Sequence, residues 1–240
     1  MAVINGASGN DILTGTSGND TISSFGGDDR VSGNAGNDLI IAEVGEDFYN
    51  GGAGIDTIDY SYYSNGIVAD LTNGLVYFLT IPDIEDVISF ENIIGCEGGD
   101  YLIGTAGNNY LSGNAGDDVL VGVSSDNGRN SIDTLRGGSG SDLFILGSTT
   151  TVYYNDGNNS NSGTRDYAVI SDYTTLQDTI RLQGSASDYL LRSSPISKVK
   201  GTAIYFDSNG NKAFDSTDEL VAIVSGISGL NLTSSDFTYV

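Results

Sequence analysis

Aspartate recurs every nine residues in two stretches of this sequence, and any chemistry the chain performs starts from that spacing. Asp11, Asp20, Asp29, Asp38, Asp47 and Asp56 each stand two residues after a glycine, from Gly9 to Gly54. A second series runs Asp100, Asn109, Asp118, Asp133 and Asp142. A regular array of carboxylates can move protons or hold a hard cation. The chain contains no histidine. That excludes the commonest general base, the HExxH zinc motif and every Ser-His or Cys-His nucleophile pair. Paired carboxylates could still serve acid–base catalysis in a chain with 32 Asp and Glu. Outside the series the conspicuous acids are Glu43, Glu46, Glu85, Glu91 and Glu97, which read as solvated faces. No catalytic motif is found.

The elements that position these side chains are short. From Gly6 to Asp59 the chain divides into six uninterrupted nine-residue units: GASGNDILT, GTSGNDTIS, SFGGDDRVS, GNAGNDLII, AEVGEDFYN and GGAGIDTID. Asp takes the sixth position of each, and the eighth is apolar or aromatic: Leu13, Ile22, Val31, Ile40, Tyr49 and Ile58. From Gly95 the pattern returns as GCEGGDYLI, GTAGNNYLS and GNAGDDVLV. A short insertion follows, then a degraded unit, GRNSIDTLR, and a good one, GGSGSDLFI. A period in this range is the signature of a solenoid. Glycines at the first and fourth positions permit a tight turn. The single inward apolar residue that follows suits a strand of about three residues.

The nonapeptide pattern resembles that of the RTX calcium-binding family, and the two-units-per-coil stacking that this resemblance implies brings Asp11 near Asp29, Asp20 near Asp38, Asp29 near Asp47, and Asp38 near Asp56. Strands lie about 4.8 Å apart. Two carboxylates at that distance repel by roughly 3 kcal/mol at an effective dielectric of 20. One buried apolar side chain per unit contributes about 1.5–3 kcal/mol, against about 1–2 kcal/mol of chain entropy per residue. The sum closes only if a cation bridges the carboxylates. Carboxylates alongside turn carbonyls form the oxygen-rich shell that calcium prefers, so several Ca2+ ions are expected as folding ligands. Asn109 lacks the charge, Ser131 replaces a turn glycine, and the unit around Glu43 and Glu46 has lost its leading glycines. Those turns are expected to be weak or empty.

The repeat resembles the GGxGxDxUx motif of the RTX (repeats-in-toxin) calcium-binding family of hemolysin-type and serralysin-like proteins. The resemblance implies an all-β fold: a parallel β-roll, six residues of each unit forming a turn and three a strand, two units per coil. The expected layout is a roll over 1–145, with repeats at 6–59 and 95–145 joined by a β linker at 60–94. A β-rich C-terminal capping region over 146–240 would follow. In the linker, Ile67–Leu71 and Leu75–Leu79 alternate around Asn73-Gly74 and read as a hairpin. After Ile145, strands are expected at Val152–Tyr154, Tyr167–Ile170, Thr179–Leu182, Ala203–Phe206 and Leu220–Val224, with a polar, flexible loop at Asn155–Gly163. The stretch Val169–Leu182 looks like the segment that closes RTX regions.

A second calcium motif is DSNGNKAFDSTD. Asp207, Asn209, Asn211, Asp215 and Asp218 fall on positions 1, 3, 5, 9 and 12 of an EF-hand-like loop. Lys212 replaces the usual glycine, and strands rather than helices flank the loop. Cys96 is the lone cysteine, so no internal disulfide forms. Tyr60, Tyr62, Tyr63, Tyr153 and Tyr154 could stack on sugars, though packing on a sheet is the plainer reading.

A net charge of −23 disfavours nucleic acid and anionic membranes as partners, and no apolar run approaches the ~20 residues of a transmembrane segment. Met1 leads straight into the repeats without a charged, apolar leader, and the final SSDFTYV resembles the uncleaved type I secretion signals of RTX proteins. The expected function is a secreted or cell-surface calcium-binding protein that folds on calcium. Two alternatives stand beside it: a calcium-dependent enzyme built on the roll, acting as a small-molecule cyclase or on polysaccharide, and a carbohydrate-binding surface module.

Overall fold

A computed structural model of the chain describes residues 1–123, 130–155, 157 and 163–240. The degraded unit's first two residues and most of the loop expected at Asn155–Gly163 lie outside the described residues. Each repeat forms the turn-and-strand unit its composition dictates. Strands such as Thr21–Ser23, Leu39–Ile41 and Thr57–Asp59 bury only their central residue. That residue is the apolar eighth position, and Ile22, Val31, Ile40, Tyr49 and Ile58 are all fully buried.

Successive strands alternate between two sheets of eleven strands each. Strands two units apart pair in parallel with an eighteen-residue offset: Ile22 opposes Ile40, and Ile40 opposes Ile58. The two inward rows of side chains meet between the sheets as one core that runs from Ile22 to Phe237. The architecture is a parallel β-roll, all-β but for one 3-10 turn at Ala186–Asp188 among the described residues.

The linker joins the two repeat blocks inside one sheet. Ile67–Asp70 and Leu75–Phe78 form the hairpin read from Asn73-Gly74, and Ile84–Ile88 adds a third strand antiparallel to Leu75–Phe78. Ile84–Ile88 then pairs in parallel with Phe48–Asn50, and Ile67–Asp70 with Tyr101–Ile103, so the hairpin bridges the two blocks. Glu85 points inward from this insert and is fully buried, which corrects its reading as a solvated side chain.

Both sheets continue past Ile145. Tyr167–Ile170 pairs in parallel with Ile132–Ser139, and Thr179–Leu182 with Leu143–Ile145. Glu219–Ser225 carries one sheet further, followed antiparallel by Gly201–Phe206 and Tyr189–Ser193. Phe237–Tyr239 ends the other sheet, parallel to Thr179–Leu182. One expected strand is absent. At Val152–Tyr154 only an isolated bridge links Val152 to Gly147, because Tyr154 takes a left-handed φ of 57° and turns its ring into the core.

Candidate metal centre

The sixth-position aspartates form two ladders, one along each edge of the roll. In each ladder the backbone N–H of one Asp donates to Oδ1 of the Asp in the next coil. Asp11 donates to Asp29 (2.8 Å) and Asp29 to Asp47 (2.6 Å). Asp20 donates to Asp38 and Asp38 to Asp56 (both 2.7 Å). In the second block Asp100 donates to Asp118 (2.7 Å), Asn109 to Asp133 (2.8 Å) and Asp118 to Asp142 (3.1 Å). The repeat needs aspartate here because one carboxylate oxygen must reach a neighbouring coil while the other faces its own turn.

That second oxygen distinguishes the turns. In one group it accepts a hydrogen bond from the second residue of its own turn. Ala7 N–H donates to Asp11 and Thr16 N–H to Asp20 (both 2.6 Å), Cys96 N–H to Asp100 (2.7 Å), and Thr105 N–H to Asn109 Oδ1 (2.8 Å). In a second group, Asp29, Asp38, Asp56, Asp118 and Asp142, Oδ2 is buried and has no hydrogen-bond partner among the described residues. The backbone separates this group independently. Its second residues, Phe25, Asn34, Gly52, Asn114 and Gly138, all have positive φ, as do its fourth-position glycines, Gly27, Gly36, Gly54, Gly116 and Gly140. Left-handed φ is costly for a residue as bulky as Phe25. In these turns the second residue's N–H no longer caps the carboxylate.

The uncapped oxygens face cradles. A Cβ added to Gly33 would collide with Asp38 Oδ2 and with the carbonyl oxygen of Gly51 in the next coil. Gly113 stands likewise against Asp118 Oδ2 and the Gly137 carbonyl, Gly51 against Asp56 Oδ2 and the Ser89 carbonyl, and Gly137 against Asp142 Oδ2. Among the described residues no three carboxylate or cysteine side chains converge on one point. The cradles themselves present a carboxylate oxygen beside main-chain carbonyls, a hard all-oxygen set that fits calcium.

Electrostatics follows burial rather than capping, for burial also raises the capped Asp100 and Asp178. Hydrogen bonds, led by Thr16 N–H, hold Asp20 below the usual carboxylate range. Burial pushes the uncapped carboxyls up: Asp29, Asp38 and Asp56 rise, Asp142 reaches about 6 and Asp118 about 8. A buried charge with no partner is costly, and a cation is the partner that relieves it.

The family model for the RTX calcium-binding nonapeptide repeat matches in four copies, over residues 5–38, 23–58, 94–127 and 127–148. The chain carries RTX calcium-binding nonapeptide repeats. No curated protein matches it. Among solved structures, the extracellular lipase LipA from Serratia marcescens aligns at 18% identity over 96% of this chain and 38% of that one. The TM-score of 0.26 is too low for the overlay to bear on shape or activity.

Two rungs of the RTX ladders escaped the sequence reading. Asp178 accepts the Asp142 N–H at Oδ1 (3.1 Å) and the Thr174 N–H at Oδ2 (2.7 Å), so it continues the series. The signal was present in QDTIRL, where Ile180 stands two residues after Asp178 as in every repeat. Glu91 accepts the Asp56 N–H (2.9 Å) where the repeat is interrupted by the linker. Its cue was also present, since Glu91 stands nine residues before Asp100 and two before the buried Ile93, with glutamate in place of aspartate.

The loop between Gly201–Phe206 and Glu219–Ser225 gathers the other set of residues. Asp207 accepts N–H bonds from Asn211 (3.2 Å) and Lys212 (2.7 Å), and Lys212 has φ of 60°, the conformation a glycine would take at that position. Asp215 accepts from the Thr217 hydroxyl (2.6 Å) and N–H (2.8 Å) and from the amides of Asn211 (2.8 Å) and Asn209 (3.0 Å), which hold its carboxyl far down. Asp218 accepts the Asp215 N–H (2.8 Å), while its other oxygen is buried without a partner. Of the tyrosines, Tyr60, Tyr153 and Tyr154 are buried and Tyr62 is exposed.

Proposed function

We propose that this RTX-repeat protein is a secreted chain that folds on calcium, staying open where calcium is micromolar and closing its roll outside the cell. The observation that supports this most strongly is the uncapped, buried carboxylate oxygen in each glycine cradle, at Asp38, Asp56, Asp118 and Asp142. Without a cation these charges oppose closure of a chain that already carries a net −23. A cation bound only in the closed roll adds its binding free energy to folding.

In this reading the ligand set is drawn from the sixth-position residues of both series, led by Asp29, Asp38, Asp56, Asp118 and Asp142, while Asp47 and Asp133, whose second oxygens meet tyrosine hydroxyls, stand apart from it. Asp11, Asp20, Asp100 and Asn109 take part more weakly, because the second-position N–H must first swing away from the oxygen it caps. Asp207, Asn209, Asn211, Asp215 and Asp218 form a separate cation loop anchored by the unpartnered oxygen of Asp218. Export through a type I route fits the same scheme. Phe237–Tyr239 is paired in the sheet of the closed roll, so these residues are accessible to a transporter as extended chain only before folding.

The test is a far-UV circular dichroism titration of chelator-stripped protein with calcium. The expected result is a cooperative gain of β signal between high micromolar and millimolar calcium. A full β spectrum in excess chelator would overturn the proposal.

A further inference from the structure

Among the described residues, two turns bring a tyrosine hydroxyl to the second carboxylate oxygen. At Asp47 the Tyr49 hydroxyl donates to Oδ2 (2.7 Å), shares a hydrogen bond with the Ser24 hydroxyl (2.9 Å), and accepts from Glu43 N–H (3.4 Å). At Asp133 the Tyr154 hydroxyl donates to Oδ2 (2.6 Å). The two tyrosines arrive differently. Tyr49 occupies the eighth position of Asp47's own repeat, whereas Tyr154 comes from the segment after the last repeat. Both rings are fully buried or nearly so. Tyr154's hydroxyl lies in the cradle itself, since a Cβ on Gly122 would collide with it and with Asp133 Oδ2 (2.6 Å). At Gly113 and Gly137 the corresponding glycine faces an uncapped oxygen.

We infer that Tyr49 and Tyr154 close these two turns in place of a cation, so that the tyrosine hydroxyls determine which rungs of the roll take calcium. A phenol donates one proton at the point where a cation would otherwise meet the carboxylate oxygen. It satisfies the buried oxygen without metal, and its ring adds apolar burial that a hydrated ion does not. The placement makes mechanical sense. Asp47 lies beside the junction with the linker, where Ile84–Ile88 pairs with Phe48–Asn50. Asp133 lies where the repeat is interrupted by an insertion. At both places the stack loses its regular coil, and a covalently tethered partner holds the register that an ion held by two regular turns provides elsewhere.

The two turns differ in one respect. Gly122 has no Cβ behind Tyr154, whereas the first position of Asp47's unit is Ala42, fully buried, which carries a Cβ where the cradle glycines carry none. Removing the hydroxyl therefore opens a site at Asp133 and none at Asp47.

The inference rests on the repeats being calcium sites, and the experiment keeps the two apart. Bound calcium per chain is counted by equilibrium dialysis and elemental analysis at saturating calcium, for the intact protein and for D118N, D133N, D47N, Y154F and Y49F. Folding of each is checked by circular dichroism in calcium. A wild-type count of zero would remove the underlying reading. With calcium bound, the expected outcome is a lower count in D118N and unchanged counts in D133N, D47N and Y49F. Y154F is expected to gain one ion. A lower count in D133N or D47N, or no gain in a folded Y154F, overturns the assignment. If Y154F does not fold, the two asparagine variants decide.

Discussion

At the residue scale, one atom governs the site: the second oxygen of each sixth-position carboxylate. A backbone N–H caps it at Asp20, a phenol at Asp133, and none of the described residues at Asp118. Replacing Asp118 with Asn removes the charge a cation needs while keeping the ladder hydrogen bond from Asp100. The calcium midpoint of folding should rise about tenfold, or ~1.4 kcal/mol, in line with a charge-assisted contact. Asp20→Asn should move it far less. Gly113→Ala should match Asp118→Asn or exceed it, because its Cβ would collide with Asp118 Oδ2. All three are read from circular dichroism titrations. The same carboxyls set a pH dependence in chelator. Burial raises Asp142 to about 6 and Asp118 to about 8 in the folded chain, above the unfolded value of about 3.9. The folded state then binds more protons than the unfolded one, so its stability falls as pH rises from about 4 through 8. Metal-free protein should show more β structure at pH 5 than at pH 8, and saturating calcium should reverse that order.

At the scale of elements, the linker is the least repeat-like part of the roll, and its seat depends on a polar contact inside the core. The buried Tyr60 hydroxyl donates to the buried Glu85, whose carboxyl is pushed far up by burial. A neutral acid in that place is closely matched by glutamine. Glu85→Gln should therefore change stability in calcium by less than about 1 kcal/mol. Tyr60→Phe leaves Glu85 without its donor and should cost about 1–3 kcal/mol. Urea unfolding at fixed calcium measures both, and equal losses in the two variants would mean that the hydrogen bond is not what seats the hairpin.

At the scale of the whole molecule, 32 acidic against 9 basic residues repel one another in the absence of a counter-charge, and the closed roll packs the sixth-position acids into two files. Small-angle scattering should show the radius of gyration dropping from roughly 50 Å for an expanded chain toward roughly 20 Å on calcium addition. Magnesium should be a poor substitute, because it holds its waters and demands a regular octahedron that a cradle of carbonyls does not offer. Equal compaction by both ions would point to charge screening rather than to the turns.

The repeat, its period and the inward apolar file follow from sequence alone, because a nine-residue unit carries its turn and strand chemistry locally; the eighteen-residue register was expected from the resemblance to the RTX family. The hairpin at Asn73-Gly74 is legible for the same reason. Tertiary structure decided what each carboxylate meets. Tyr154 reaches Asp133 across 21 residues and Asp142 finds Asp178 across 36, distances over which no local pattern operates. The burial of Glu85 and the inward turn of Tyr154 belong to the same class. Each depends on which coil lies next to which, and that is fixed only once the two sheets have closed on a common core.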